Sequence, residues 1–225
     1  MPECEAAVGS ASEQAAVERS LRSETISTVV FDLGGVLVDW DPRHLYRQVL
    51  GSEEEVERFL AEVATWAWHT QHDLGRPMAE TIPELIAEHP EHAEAISLWH
   101  ARYHDMIAGE VPGTVDVVRD LHAAGTRLLV LSNMPADVLH VLDGFAWLDL
   151  FDAVVASGQE GLIKPDPAIY RILVDRHGVD PATAAFVDDR LENVEAAAAL
   201  GFHGIHFTDA AALRDELLQP PRRQV

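Results

Sequence analysis

Thr28-Val29-Val30-Phe31-Asp32-Leu33-Gly34-Gly35-Val36-Leu37-Val38-Asp39 is the stretch on which the fold turns. Its opening run of β-branched and aromatic residues reads as a fully buried strand. That strand ends in the carboxylate of Asp32, and a glycine pair follows almost at once. A carboxylate at the carboxyl end of a parallel strand lies in the crevice where open α/β sheets bind ligands. Two glycines beyond it let the backbone turn sharply and come close to a ligand. Alone, an Asp ahead of a glycine pair is a turn cap. Three other stretches change that.

Working outward, Asp41-Pro42 has the form of an N-cap followed by proline at the first helical position. Apolar residues then recur at three- and four-residue spacing over 53–66, 78–88 and 91–107, which predicts helices. Residues 72–77 (His-Asp-Leu-Gly-Arg-Pro) read as a loop between them. No strand-like window interrupts 42–108, so this block is expected to be a separate small helical bundle. Beyond Val111-Pro112-Gly113 the pattern alternates, with strands expected at 127–131, 153–156, 184–187 and 203–207. Helices are expected between and after them, at 114–124, 136–142, 167–177, 191–200 and 209–218. Alternating strands and helices imply a parallel, helix-covered sheet. The fold class is therefore α/β, with a core from 26–41 and 109–218 and an all-helical cap inserted at 42–108. Residues 1–25 and 219–225 read as flexible extensions.

With 225 residues, 48% of them hydrophobic, the chain can bury one sizeable core with a small insertion. No window approaches ~18 uninterrupted apolar residues, so no membrane span is expected. The start, Met1-Pro2-Glu3-Cys4-Glu5, lacks the basic and apolar regions of a secretory signal. Cys4 is the single cysteine, which excludes an internal disulfide and points to a reducing cytoplasm. A formal charge of −22 argues against nucleic acid and against anionic membrane surfaces as partners. An acidic protein still binds phosphate where a local cation reverses the field.

The remaining polar signals all fall just after expected strands. Asp32 follows the first, Ser132-Asn133 the second and Asp188-Asp189 the fourth, while Lys164-Pro165 lies in the loop after the third. In a parallel sheet these positions meet at one edge. A carboxylate nucleophile, a hydroxyl, a fixed cation and an acidic pair are what phosphoryl transfer through an aspartyl-phosphate needs. The acidic pair and Asp32 supply hard oxygen ligands for Mg²⁺. Taken singly, Ser132-Asn133 is a helix cap and Lys164-Pro165 a surface turn. Adjacent carboxylates after an apolar strand are harder to dismiss, because they repel unless a cation sits between them.

In four stretches, taken in order, the chain resembles the haloacid dehalogenase-like hydrolase superfamily. They are Phe31 to Leu37, Leu131-Ser132-Asn133, Lys164 to Tyr170, and Phe186-Val187-Asp188-Asp189 with Asn193 and Ala196-Ala197. The resemblance spans about residues 26–218 and implies a Rossmann-like core under a helical cap. It implies Asp32 as nucleophile and metal ligand, the Gly34 carbonyl and Asp189 as further Mg²⁺ ligands, and Asp188 acting through water. Ser132, Asn133 and Lys164 would hold the phosphoryl group. The resemblance also implies a general acid two positions after the nucleophile, where this chain has Gly34. Asp-Leu-Gly-Gly-Val, the downstream Val-Asp-Trp-Asp and the cap segment 68–76 resemble the subgroup related to bacterial glucose-1-phosphate phosphatases. Without an acid at 34, a leaving group that needs little protonation is expected, with Asp39 or His69 as stand-ins.

The function expected is thus Mg²⁺-dependent hydrolysis of small phosphorylated metabolites, sugar phosphates included. The alternatives are a 2-haloacid dehalogenase and a catalytically weak phosphometabolite-binding protein. The pairs His69/His72, His100/His104 and His203/His206 are not assigned to a metal, since zinc sites draw on more than one chain region and often on cysteine.

Overall fold

A computed structural model describes residues 26–218. The readings for 1–25, including Cys4, and for 219–225 lie outside the described residues. Strand β1 (Thr28–Phe31) is buried along its whole length. It is central among five strands, β4 (Arg127–Ser132), β5 (Ala153–Ala156), β6 (Ala184–Asp188) and β7 (His203–His206) being the others. They run in the order β5-β4-β1-β6-β7, and every pairing is parallel. A central parallel strand is covered on both faces, which is why the run is apolar without alternation.

Val29 and Phe31 share one core with Val117, Val118 and Leu121 of the helix Thr114–Ala123 and with Leu213 of Ala210–Leu218. Val30 and Phe186 face the other way, against Ile169, Tyr170 and Leu173 of Pro167–Asp175 and Ala197 of Leu191–Ala199. This is the expected Rossmann-like core, with strand limits within a residue of those read from the sequence.

The inserted block is helical: α1 (Pro42–Val49), α2 (Glu53–Glu62), α3 (Trp66–Asp73), α4 (Met78–Glu88) and α5 (Ala93–Ala101). The Asp41 side chain accepts from the Arg43 N–H, so the expected cap forms. Three readings of this block are corrected. The helix expected at 53–66 is two helices, because the Thr65 side chain accepts from the Trp68 N–H and starts a new one. That new helix, α3, runs through His72 and Asp73, which were expected in a loop; the turn comes at Gly75, whose φ is 90°.

The third correction concerns 91–107. After α5 the chain forms a short 3₁₀ turn, Tyr103–Met106, and then strand β3 (Ile107–Glu110). Strand β3 pairs antiparallel with β2 (Val38–Trp40), Val38 lying opposite Glu110. Two short segments so far apart in sequence carry no local sign of their pairing. Segment 136–144 also differs, forming 3₁₀ rather than α turns, with Val138 and Leu142 buried. No helix among the described residues is long and apolar enough to cross a membrane.

Candidate active site

The order β4-β1-β6 places the ends of three neighbouring strands side by side. Phe31 is level with Val130 on one side and Val187 on the other, so Asp32 emerges between the ends of β4 and β6. The Asp32 N–H donates to the Val187 carbonyl at 2.8 Å, extending the ladder by one residue. Ser132 is the last residue of β4 and Asp188 the last of β6, and both are buried. The four stretches singled out in the sequence therefore do meet at one sheet edge.

Lys164 is the hub of the site. Its Nζ donates to Asp188 Oδ2 at 2.7 Å and lies 2.8 Å from Asp32 Oδ1. Asn133 holds the lysine's backbone from both sides. Its Oδ1 accepts from the Lys164 N–H at 2.8 Å, and its Nδ2 donates to the Lys164 carbonyl at 3.1 Å. Burial alone would lower the ammonium's pKa, but Asp32 and Asp188 outweigh it and hold the pKa above the ordinary value. Asp32 moves to about 6, pushed up by burial, pulled back by Lys164 and raised again by Asp188. Its Oδ1 also accepts from the Leu33 N–H at 2.7 Å.

Asp188 uses both carboxylate oxygens within the protein. Oδ1 accepts from the Arg190 N–H at 2.8 Å and from Asn193 Nδ2 at 2.9 Å, and Oδ2 accepts from Lys164. Asp189 is more exposed and packs on the turn after β1. Gly35 has φ of 74°, and a Cβ there would come within 2.5 Å of Asp189 Oδ2. Only glycine lets the two loops approach this closely. Asp32, Asp188 and Asp189 each offer an oxygen within 4.8 Å of the others. Three hard, anionic donors at that spacing fit a divalent cation such as Mg²⁺. Burial, with Asp188 beside it, raises the Asp189 pKa, the cost of gathering like charges.

A cavity of about 260 Å³ opens over this edge. Asp32, Ser132 and Lys164 line its floor, and Trp40, His69, Asp73 and Tyr103 line the wall formed by β2 and the cap. Trp40 stacks on His69, with ring centroids 5.2 Å apart and planes 19° apart. Gly34 also borders the cavity; it carries no positive φ, and a Cβ there would meet nothing closer than Trp40 Cβ at 3.9 Å. Of the two expected stand-ins, Asp39 is directed elsewhere: its side chain is 55% exposed and pairs with His44 at 3.2 Å. His69 lies in the cavity wall, but burial, with His72 nearby, pushes its pKa down to about 3 and leaves the imidazole neutral.

Sequence reasoning missed Trp40, Tyr103 and Asp73 as site residues. For Asp73 a signal existed. Had the helix been carried past His72, Asp73 would have fallen at i+4 from His69, on the same face. His72 itself is held within the cap, its Nε2 2.6 Å from Thr81 Oγ1.

A parallel α/β core thus carries a carboxylate at the end of its central strand, with a lysine-balanced acidic cluster beside it. Residues 26–201 match the family model of haloacid dehalogenase-like hydrolases, and the chain belongs to that family. A sesquiterpene phosphatase from Aspergillus oryzae is 28% identical over 87% of this chain and 96% of its own. A phosphorylated carbohydrates phosphatase from Thermotoga maritima is 26% identical over 80% of this chain and 84% of its own. Among solved structures, a family enzyme from Bacteroides thetaiotaomicron in a magnesium complex superposes with a TM-score of 0.65. It is 20% identical and covers 83% of this chain and 94% of its own.

Proposed function

We propose that this enzyme is a Mg²⁺-dependent phosphatase of small phosphorylated metabolites that works through an aspartyl-phosphate on Asp32. The observation that carries this is the cluster of Asp32, Asp188 and Asp189 around Lys164 at the floor of one cavity. The phosphatase relatives and the magnesium complex of the Bacteroides enzyme support it. Asp32, Asp189 and the Gly34 carbonyl would hold the cation. Asp188, its oxygens already engaged, would support it through water. When bound, Mg²⁺ supplies positive charge to the phosphoryl oxygens.

This chain's own groups do the rest. Lys164 and the Leu33 N–H hold Oδ1 of Asp32, which leaves the second oxygen to attack phosphorus. The P–O bond to the alcohol breaks as the new bond forms. Ser132 and Lys164 donate hydrogen bonds to the phosphoryl oxygens, and Asn133 fixes the lysine. Water then attacks phosphorus and restores the Asp32 carboxylate.

A 2-haloacid dehalogenase would direct the same nucleophile at carbon and would have no need of an acidic pair, so Asp188-Asp189 favour phosphate. Within the phosphatase reading, the likeness to glucose-1-phosphate phosphatases makes sugar phosphates the first substrates to try. The single cysteine and the acidic charge suit a cytoplasmic metabolite enzyme.

The test is phosphate release from sugar phosphates, nucleotides and 4-nitrophenyl phosphate, with Mg²⁺ and with EDTA. Release that needs Mg²⁺ and disappears in Asp32→Asn is expected. Release unaffected by EDTA would remove the cation from the scheme, and an active Asp32→Asn, with deamidation excluded, would remove the nucleophile.

A further inference from the structure

One buried acid has no task in that scheme. Asp73 is the last residue of α3 and lines the cavity opposite the sheet edge. It is 3% exposed, yet its Oδ1 has no hydrogen-bond partner among the described residues. His69 Nε2 stands 3.7 Å from that oxygen, beyond hydrogen-bond reach. Buried polar atoms are nearly always bonded, so a carboxyl beside a cavity with one buried oxygen unpartnered is a group the fold itself gives no structural task. Asp73 is also near enough to Asp32 and Lys164 for both charges to act on its carboxyl.

The vacancy at Gly34 is the other half. Nothing fills the space where a side chain would start, and the residue bordering it is Trp40. Trp40 stacks on His69, and His69 stands one turn before Asp73 on the same helix. The cap thus brings a carboxyl to the cavity whose floor lacks one at position 34.

We propose that Asp73 is a catalytic residue, the proton donor and acceptor of this enzyme, delivered by the cap in place of the acid absent at Gly34. The proposal rests on the phosphatase reading. As Asp32 attacks phosphorus and the ester P–O bond breaks, the electron pair goes to the departing oxygen, which takes the Asp73 proton and leaves as an alcohol. The Asp73 carboxylate then accepts a proton from the water that attacks phosphorus. The P–O bond to Asp32 breaks, phosphate leaves, and both aspartates return to their starting forms. Burial, with Asp32 adding to it and Lys164 opposing, raises the Asp73 pKa to about 7, so a donor population exists near neutrality. His69 is already neutral and has no such proton to give.

The experiment compares kcat/KM, which reads the steps up to release of the alcohol, for 4-nitrophenyl phosphate and butyl phosphate with Mg²⁺. The nitrophenolate leaves without help, whereas an alkoxide needs a proton. Asp73→Asn should slow the alkyl ester by about 10²–10⁴-fold, the usual worth of general acid–base catalysis. It should slow the aryl ester by only a few-fold. Gly34→Asp in the Asp73→Asn chain should recover at least tenfold on the alkyl ester, which a merely structural defect would not allow. Should Asp73→Asn fold poorly, the native enzyme decides: with a donor in place, its kcat/KM should change less than about threefold along a series of alkyl phosphates of rising leaving-group pKa. Equal losses on both esters, no loss on either, or a fall beyond about threefold along the alkyl series in the native enzyme would overturn the assignment of Asp73. A native enzyme that hydrolyses neither ester nor any metabolite phosphate would instead overturn the phosphatase reading.

Discussion

Two adjacent glycines divide the site's tolerance between them. Gly34 has room for a side chain, while Gly35 has φ of 74° and lies against Asp189. Gly35→Ala should push Asp189 away and reduce the rise in melting temperature expected if Mg²⁺ binds the folded state. Gly34→Ala should keep most of that rise, and thermal scans with and without Mg²⁺ compare the two. If both variants lose it equally, the contact at Gly35 is not what seats Asp189. Lys164 is a second case, a buried cation between two carboxylates. Lys164→Met leaves those charges uncompensated and should cost on the order of 3–5 kcal/mol in denaturant unfolding without divalent cations. A cost below about 1 kcal/mol would mean that another group balances Asp32 and Asp188.

Helix α3 concentrates buried titratable groups whose pH effects oppose one another. Burial lowers His69 to about 3 and His72 to about 4. The unfolded chain takes up protons below about 6.5 that these folded histidines refuse, so stability is lost as pH falls through that range. Asp73 acts in the other direction. Its folded pKa is about 7 against an ordinary 3.8, so the unfolded chain releases the proton first and stability is lost as pH rises between those values. Asp73→Asn removes only that second effect, and its melting temperature relative to the native protein should climb from pH 4 to pH 8. A difference that stays flat would contradict the burial of an unpaired acid there. The same helix marks the limit of what the sequence makes legible. Strands β1, β4 and β6 were readable because each is a short apolar run that leads into a polar residue of the site, Asp32, Ser132 and Asp188 in turn. The cap wall was not, because Trp40, Asp73 and Tyr103 come from β2, α3 and a 3₁₀ turn that converge only after the chain has folded.

Across the whole molecule, a net charge of −22 opposes the approach of a phosphate dianion. Added monovalent salt screens that repulsion, so kcat/KM for anionic esters at fixed Mg²⁺ should rise between 10 and 150 mM, where the Debye length shortens from about 30 to 8 Å. A fall would show that the groups lining the cavity, and not the net charge, govern the approach of the ester. The strand order has a consequence in time as well. Strand β1 leaves the ribosome before the other four strands of its sheet, its neighbour β4 beginning at Arg127 and β6 only at Ala184. At roughly 5–20 residues per second, the about 150 residues between β1 and β6 take on the order of ten seconds to synthesise. During that interval the apolar strand that leads into Asp32 has an unpaired edge, the kind of surface that recruits other chains. The strand at the centre of the finished sheet is the first of its five to be made and, with an edge open until β6 arrives, is the one a growing chain most needs shielded.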